Sequence, residues 1–290
     1  MRGLEVIRRA LPADAAALEA FLSQHAETSM FLRGNIAVAG LGESADRFAT
    51  EVYVWSERDA IRAVFGRTRR GDVICQAQGA PTEAFRAYAE IIDTQPVTVI
   101  SGPPEQTAAL IAALGYGDAA FRLNQVEPLY RLELATLPDR ADVIRPPGPE
   151  DASLLADWFF DYGIYIQATA ANQAARQAAR ERAEYCIAKG SLRLLIEQGQ
   201  PVAMSDFNAE VAELVQLGGV FVPRALRDGG RGRRVVQCHL LEARNRGIRT
   251  AVLFANNPAA ARAYEAIGFE HIGGYRVAVL HSPQAARTPA

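Results

Sequence analysis

The stretch Arg227-Asp228-Gly229-Gly230-Arg231-Gly232-Arg233-Arg234 places three glycines and four arginines between an apolar run ending at Val222 and a helix-forming run stopped by Gly247. A plain strand-to-helix connection needs one glycine at most. The excess points to an anion. The first four N–H groups of a helix lack internal partners, and the helix dipole places about half a positive charge there. Glycines let a phosphate approach the backbone and permit positive φ, so residues 228–233 can cradle a pyrophosphate. A nucleotide P-loop requires G-x-x-x-x-G-K-[ST], and the turn has neither that lysine nor the hydroxyl. A dinucleotide turn requires G-x-G-x-x-G, but Gly230-x-Gly232 is followed by Val235 and stands too far from the strand. A solvated loop in an arginine-rich chain is the plain alternative.

The elements around the turn repeat. "LEVIRRALPADAAALEAFL" begins at Leu4 and "DVIRPPGPEDASLLADWFF" at Asp142. Each reads as a short strand, a Pro- and acid-bearing turn, and an amphipathic helix, with Asp14 or Asp151 in the first-turn position. The second copy continues as a helix over 172–190, three strands, the glycine-arginine turn with its helix, a buried strand, a short helix and a closing strand, "FEHIGGYRVAVL". The predicted order is β-α-α-β-β-β-α-β-α-β. The first copy ends on "FRLNQVEPLYRLEL" and passes from strand to helix through Gly79, Ala80 and Pro81 alone. Two tandem domains follow, residues 1–135 and 141–283, divided in the polar, proline-broken stretch "LATLPDRAD".

Arg227-x-x-Gly230-x-Gly232 also matches [RQ]-x-x-G-x-[GA]. A strand then leads to Asn257-x-x-Ala260-x-x-x-Tyr264, with Gly268-Phe269 behind. This succession resembles the cofactor half of the GNAT superfamily of N-acetyltransferases. The resemblance is specific over 215–280, looser back to Asp142, and rests on element order alone over 1–134. It implies an α+β chain of two GNAT-like domains, each a mixed, mostly antiparallel sheet flanked by helices, the first without the pyrophosphate motif. It implies acetyl-CoA as acyl donor to a small-molecule or peptide amine. Val220, Phe221 and Val222 would pair with the pantetheine arm. Arg227, Asp228, Gly229, Gly230, Arg231 and Gly232 would hold the pyrophosphate, with Arg233 and Arg234 as further candidates for the phosphates. Asn257 would touch the cofactor arm, and Tyr264 would protonate the departing thiolate. Asp161, Tyr162 and Tyr165 lie where relatives shape the acceptor pocket. Gln216 stands where many relatives carry a carboxylate and cannot act as a base. Glu210 and Glu213 lie upstream, and the base stays unassigned.

The bland readings stand beside these. Tyr264 can be a packed helix residue, Asn257 only an N-cap, and Tyr162 and Tyr165 part of an aromatic core. Cys238 and His239 are chain neighbours and point about 100° apart on a helix, so they do not make a nucleophile–base pair. Length and the two-copy layout are also similar to tandem acetyltransferases of small-thiol metabolism such as mycothiol synthase. A non-catalytic acyl-CoA sensor is the reading outside the enzymes.

The whole chain sets the frame. Its 290 residues are about half hydrophobic, and a net charge of -2 gives no general push toward nucleic acid or membrane. Lys189 is the single lysine, so arginine abundance, with the alanine excess, reads as a GC-rich bacterial coding bias. No apolar run approaches the roughly 18 residues of a membrane span. Cys75, Cys186 and Cys238 read as reduced thiols of a cytoplasmic protein. His25, His239, His271 and His281 fall in no metal-ligand spacing, and no metal is expected.

Overall fold

The computed structural model describes residues 6–58 and 60–285, so the expected strand start at Leu4 lies outside the described residues. Along the first part of the chain run β1 (Val6–Arg9), α1 (Ala15–Leu22), α2 (Ala26–Ala39), β2 (Thr50–Glu57), β3 (Ala60–Thr68), β4 (Asp72–Gln76), α3 (Thr82–Ile91), β5 (Pro96–Gly102), α4 (Pro104–Ala113) and β6 (Phe121–Glu133). There follow β7 (Ile144–Arg145), α5 (Ala152–Tyr165), α6 (Gln173–Lys189), β8 (Arg193–Glu197), β9 (Gln200–Glu210), β10 (Leu214–Phe221), α7 (Arg231–Asn245), β11 (Thr250–Phe254), α8 (Pro258–Glu265) and β12 (Glu270–Ala285). The chain is mixed α+β.

Contacts divide it into two compact units. Met1–Glu127 together with Gly274–Ala290 form the N-terminal unit, and Pro128–Gly273 the C-terminal unit. These borders differ from the expected 1–135 and 141–283. Both closing strands cross a border. Leu129–Glu133 of β6 pair with β11 in the C-terminal unit, and Arg276–Ala285 of β12 pair with β5 in the N-terminal unit. An alternating pattern shows that a segment is a strand, but not which sheet receives it. At 13 and 16 residues these two strands are long enough to serve both units.

Within the N-terminal unit the strand order is β1-β2-β3-β4-β5-β12, and within the C-terminal unit β6-β11-β10-β9-β8-β7. Each contains one parallel pair, β4 with β5 and β10 with β11. Parallel neighbours need a crossover, here α3 and α7 respectively.

The C-terminal unit has a core on each sheet face. Leu195, Ala203, Phe207, Val215 and Leu217 pack with Val235, Val236 and Leu240 of α7. Leu194, Met204 and Phe221 pack with Leu155, Trp158 and Phe159 of α5 and with Ala183 and Cys186 of α6. Alternate residues of β8 and β9 serve opposite faces, as the pleat requires. Asn172 caps α6 by accepting from the Ala175 amide at 2.8 Å, and left-handed Gly190 ends it.

One polar pair is sunk in the α7 face. His239 is 1% exposed, stacks on Phe207 with ring centroids 3.7 Å apart, and its Nδ1 lies 2.8 Å from Ser205 Oγ. Cys238 instead turns its thiol toward the Asp142 carbonyl, 3.7 Å away. Burial first, then Arg193 and Arg246, push the His239 pKa well below its ordinary 6.5. Above that value both folded and unfolded states are neutral and the fold keeps its full stability. As pH falls below it, only the unfolded chain gains the proton, and stability is lost. The urea midpoint of the native protein should therefore fall more steeply between about pH 7.5 and 5.5 than that of His239→Gln. Parallel pH profiles for the two proteins would contradict a neutral buried imidazole.

Candidate functional site

The site begins where two strands part. β10 and β11 run parallel from Leu214↔Thr250 to Leu217↔Leu253. Beyond Leu217, β10 bulges, and its ladder with β9 shifts register between Gly218 and Phe221. The bulge reverses side-chain parity. Val215 and Leu217 face α7, whereas Phe221 faces α5 and α6 and Val220 and Val222 take the α7 side. Gly219 carries the distortion at φ +57°. The parted strands open a cleft of ≈ 300 Å³. Its walls come from Leu217–Phe221 of β10 and Val222 after it, from the glycine-arginine turn, from Asn257 and from Ala260 and Tyr264 of α8, and from Tyr162 and Tyr165 at the end of α5.

The turn closes one end of this cleft. Asp228 and Gly230 are left-handed, at φ +67° and +68°. Gly230 is the N-cap of α7 and supplies no side-chain cap. The first turn of α7 starts within the cleft wall, with Arg231, Gly232 and Arg233 all lining it. The helix's first N–H groups are therefore available to an anion there.

The arginines of the turn do different work. Arg231 Nε and Nη2 donate to Glu197 Oε2 at 2.9 and 2.7 Å, and its Nη1 donates to the Leu226 carbonyl at 2.9 Å. Arg234 pairs with Glu197 and donates from Nε to Asp142 Oδ1 at 2.9 Å. The Arg231 bond, more than that from Arg234, holds the Glu197 carboxyl below the usual range. These two arginines brace the turn. Arg227 donates to the Val222 carbonyl at 3.1 Å and stacks 4.6 Å from the Tyr165 ring centroid. Arg233 has no ion pair or hydrogen bond among the described residues. It lines both the cleft and a neighbouring cavity of ≈ 330 Å³, shared with Arg140, Gly229, Arg234 and Gln237.

Tyr264 stands on α8, a helix started by Pro258 and capped by Asn257, whose Oδ1 accepts from the Ala260 amide at 2.9 Å. Asn257 is thus a cap and a cleft residue together. Its Nδ2 also lies 3.5 Å from the Tyr165 hydroxyl. Tyr264 packs edge-on to Phe269 at 5.9 Å, while its hydroxyl has no hydrogen bond among the described residues. Burial, helped by Tyr162, pushes its pKa above the ordinary 10.0, so the phenol is protonated at neutral pH.

Three expected residues lie outside the cleft wall, Gly229 among them, which lines the neighbouring cavity instead. Asp161 is exposed and does not line the cleft. Gln216 is 1% exposed on β10, outside the cleft wall, where its Nε2 donates to the Leu217 carbonyl at 2.8 Å and its Oε1 has no partner. Glu210 is exposed and bound to Arg246. Asp228, on the turn, is the one carboxylate in the cleft wall among the described residues. The wall residues that motif reading passed over are Leu217, Phe254 and Asn256 and four small ones, Gly218, Gly219, Ala259 and Ala263. The alanines of "NPAAARAY" were a visible signal, since a one-sided stripe of small residues leaves room for a ligand.

The N-terminal unit closes the corresponding gap. There β4 and β5 pair in parallel from Asp72↔Val99 to Ile74↔Ser101. The amide of Ala77, just past the last rung, donates to Gln106 Oε1 of α4 at 2.6 Å. Gln106 and Leu110 hold, relative to the opening proline of α4, the places that Ala260 and Tyr264 hold in α8. Pro103, with no side-chain cap, stands where α8 has Asn257.

Residues 152–269 match the sequence model of the Acetyltransferase (GNAT) family. No curated protein matches the chain. A GCN5-related N-acetyltransferase from Sphaerobacter thermophilus is similar in structure at TM-score 0.59 and 17% identity, over 99% of this chain and 98% of that one. A tandem GNAT protein from the clavulanic acid biosynthesis pathway is similar at TM-score 0.60 and 12% identity, over 95% and 98%. An acetyltransferase of the GNAT family from Colwellia psychrerythraea is similar at TM-score 0.52 and 13% identity, over 95% and 99%. At such identities the likeness is one of fold, and it extends over the whole chain.

Gly230 and Gly232 of the turn should separate in their effect on stability. A Cβ on Gly230 meets only Arg233 Nη2 at 3.5 Å, so Gly230→Ala is strained by its left-handed backbone alone, by about 1 kcal/mol. Gly232 has ordinary φ, and its Cβ would touch only Val222 at 3.7 Å. Gly232→Ala should leave the urea midpoint unchanged or raise it slightly through helix propensity. Equal losses in both variants would refute this assignment of strain.

Proposed function

We propose that this chain, whose residues 152–269 match the model of the Acetyltransferase (GNAT) family, moves the acetyl group of acetyl-CoA to an amine by direct attack on the thioester. The reading is carried by one arrangement: a cleft between parted parallel strands, with uncapped helix N–H groups at one end and a free tyrosine hydroxyl in its wall. The shape and donors suit a thioester with a long neutral arm and a pyrophosphate. Val220–Val222 would hold the neutral arm, and the first N–H groups of α7 would receive the pyrophosphate. Arg231 and Arg234 are spent on Glu197, so Arg233 is left to answer a further phosphate at the neighbouring cavity.

When bound, acetyl-CoA supplies an activated acyl group. Tyr264 then gives its proton to the sulfur as the carbon–sulfur bond breaks. Its raised pKa does not oppose this role. Burial disfavours a departing thiolate by the same physics that disfavours a phenolate, so donor and acceptor shift together. Small residues at Ala259, Ala260 and Ala263 leave space along α8 for the arm. No carboxylate flanks Tyr264 in the cleft wall, so the attacking amine loses its proton to solvent or by way of Tyr162.

Tyr264→Phe should lower kcat by about 100-fold, the low end of the range for general acid catalysis, with acetyl-CoA affinity nearly unchanged by calorimetry. Equal kcat in the two proteins would end the assignment. Arg233→Ala should do the reverse, weakening acetyl-CoA binding with little effect on kcat.

Because Gln106 already occupies the Ala77 amide, the native protein should bind one acetyl-CoA per chain. A calorimetric stoichiometry of two would show that the N-terminal unit also takes the ligand.

A further inference from the structure

We propose that the acceptor is an amine bearing a carboxylate, and that Arg182 of α6 receives that carboxylate. The proposal rests on reading the cleft as an acetyl-transfer site. Arg182 is half-buried, and its guanidinium lies over Phe159 at 4.3 Å and near Tyr162 at 5.8 Å. Tyr162 is a cleft residue, so the guanidinium lies one ring away from the cleft. Its Nη2 is also 3.6 Å from the Cβ position of Gly219, in the bulge of the cleft wall.

No carboxylate of this chain answers Arg182 among the described residues. The acid best placed to do so is Asp206, 3% exposed, whose Cβ lies 3.2 Å from that same Gly219 position. Asp206 is engaged on its other side. Its Oδ1 accepts from Ser191 Oγ at 2.6 Å and its Oδ2 from Cys186 Sγ at 3.3 Å. Burial pushes the Cys186 thiol up to about 12, so it stays protonated as that donor. A partly desolvated guanidinium is poorly served by ring faces alone, because its N–H donors need acceptors. Its planar fork matches a carboxylate in two parallel bonds. With glycine at 219, no side chain of the strand stands beside Arg182 Nη2. A carboxylate bound by Arg182 leaves the rest of a short acceptor to reach the cleft past Tyr162, which lines it.

The test compares ω-amino acids, from glycine to 6-aminohexanoate, with n-alkylamines of equal length, using the full chain and acetyl-CoA. At least one amino acid should exceed its alkylamine in kcat/KM by about tenfold or more. Arg182→Gln should raise KM for that acceptor by about 10- to 100-fold, and leave alkylamine kinetics and acetyl-CoA affinity unchanged. Arg182→Lys, which keeps the stem and the charge, should recover part of the loss. Calorimetric titration of the preferred amino acid, with and without coenzyme A, should show binding by the native protein and its loss in Arg182→Gln.

Alkylamines used as well as amino acids, or an unchanged preference in Arg182→Gln, would overturn the proposal. So would a preference for phosphoethanolamine over every amino acid, which would assign the anion to a phosphate. Failure of acetyl-CoA to bind would instead strike the acetyl-transfer reading, and the titration without coenzyme A would still judge Arg182.

Discussion

A pair of parallel strands that parts before it ends leaves backbone donors and acceptors without a ladder, and buried groups of that kind must find partners. This constraint shapes both units. In the N-terminal unit the gap past Ile74 and Ser101 is filled by the chain itself, since Gln106 takes the Ala77 amide. In the C-terminal unit the bulge at Gly218–Phe221 widens the gap beyond Leu217 and Leu253, and alanines stand on the facing helix instead of a glutamine. The parallel pair is followed by an internal hydrogen bond in one unit and by an open cleft in the other.

The turn shows a second division of labour. Arg231 and Arg234, in the first turn and a residue beyond it, are engaged within the protein. Glu197 holds Arg231 and Arg234, and Asp142 holds Arg234 as well. Each such partly exposed pair is worth only about 0.2–1 kcal/mol, so their importance lies in position. They fix the first turn of α7 so that its N–H groups stay aimed at the cleft. The first turn of α7 thus presents backbone N–H groups in the cleft wall, beside Arg233, which has no ion pair or hydrogen bond among the described residues.

How far this was legible depends on the range of the interaction. The turn, the capped helix from Pro258 and the alternating strands are local, and their residues announce them. Asn257 reads as a cap because its signal is complete within four residues. Non-local choices left weaker marks. The parity change in β10 needs one extra residue in a run of apolar and glycine positions, which no period count separates from a regular strand. Gln216 takes the place of a family carboxylate in sequence, yet the structure buries it outside the cleft wall. Arg182 belongs to an arginine-rich helix, and only the packing of α6 against Phe159 and Tyr162 distinguishes it from Arg176 or Arg180.

The exchange of closing strands has the same origin and ties the chain together. Residues 129–133 look like the end of the first repeat, but they form the neighbour of β11. β11 in turn leads into Asn257, Pro258 and the helix that carries Tyr264. The site-bearing unit therefore depends on a strand that arrives from the other side of the apparent linker. Residues 276–285 look like the end of the second repeat, yet they pair with β5 and pack Ala278 and Leu280 into the core around Tyr88. Neither half can be cut at the polar stretch after Leu134 without losing an interior ladder. Each unit therefore contains a segment from the far side of that stretch.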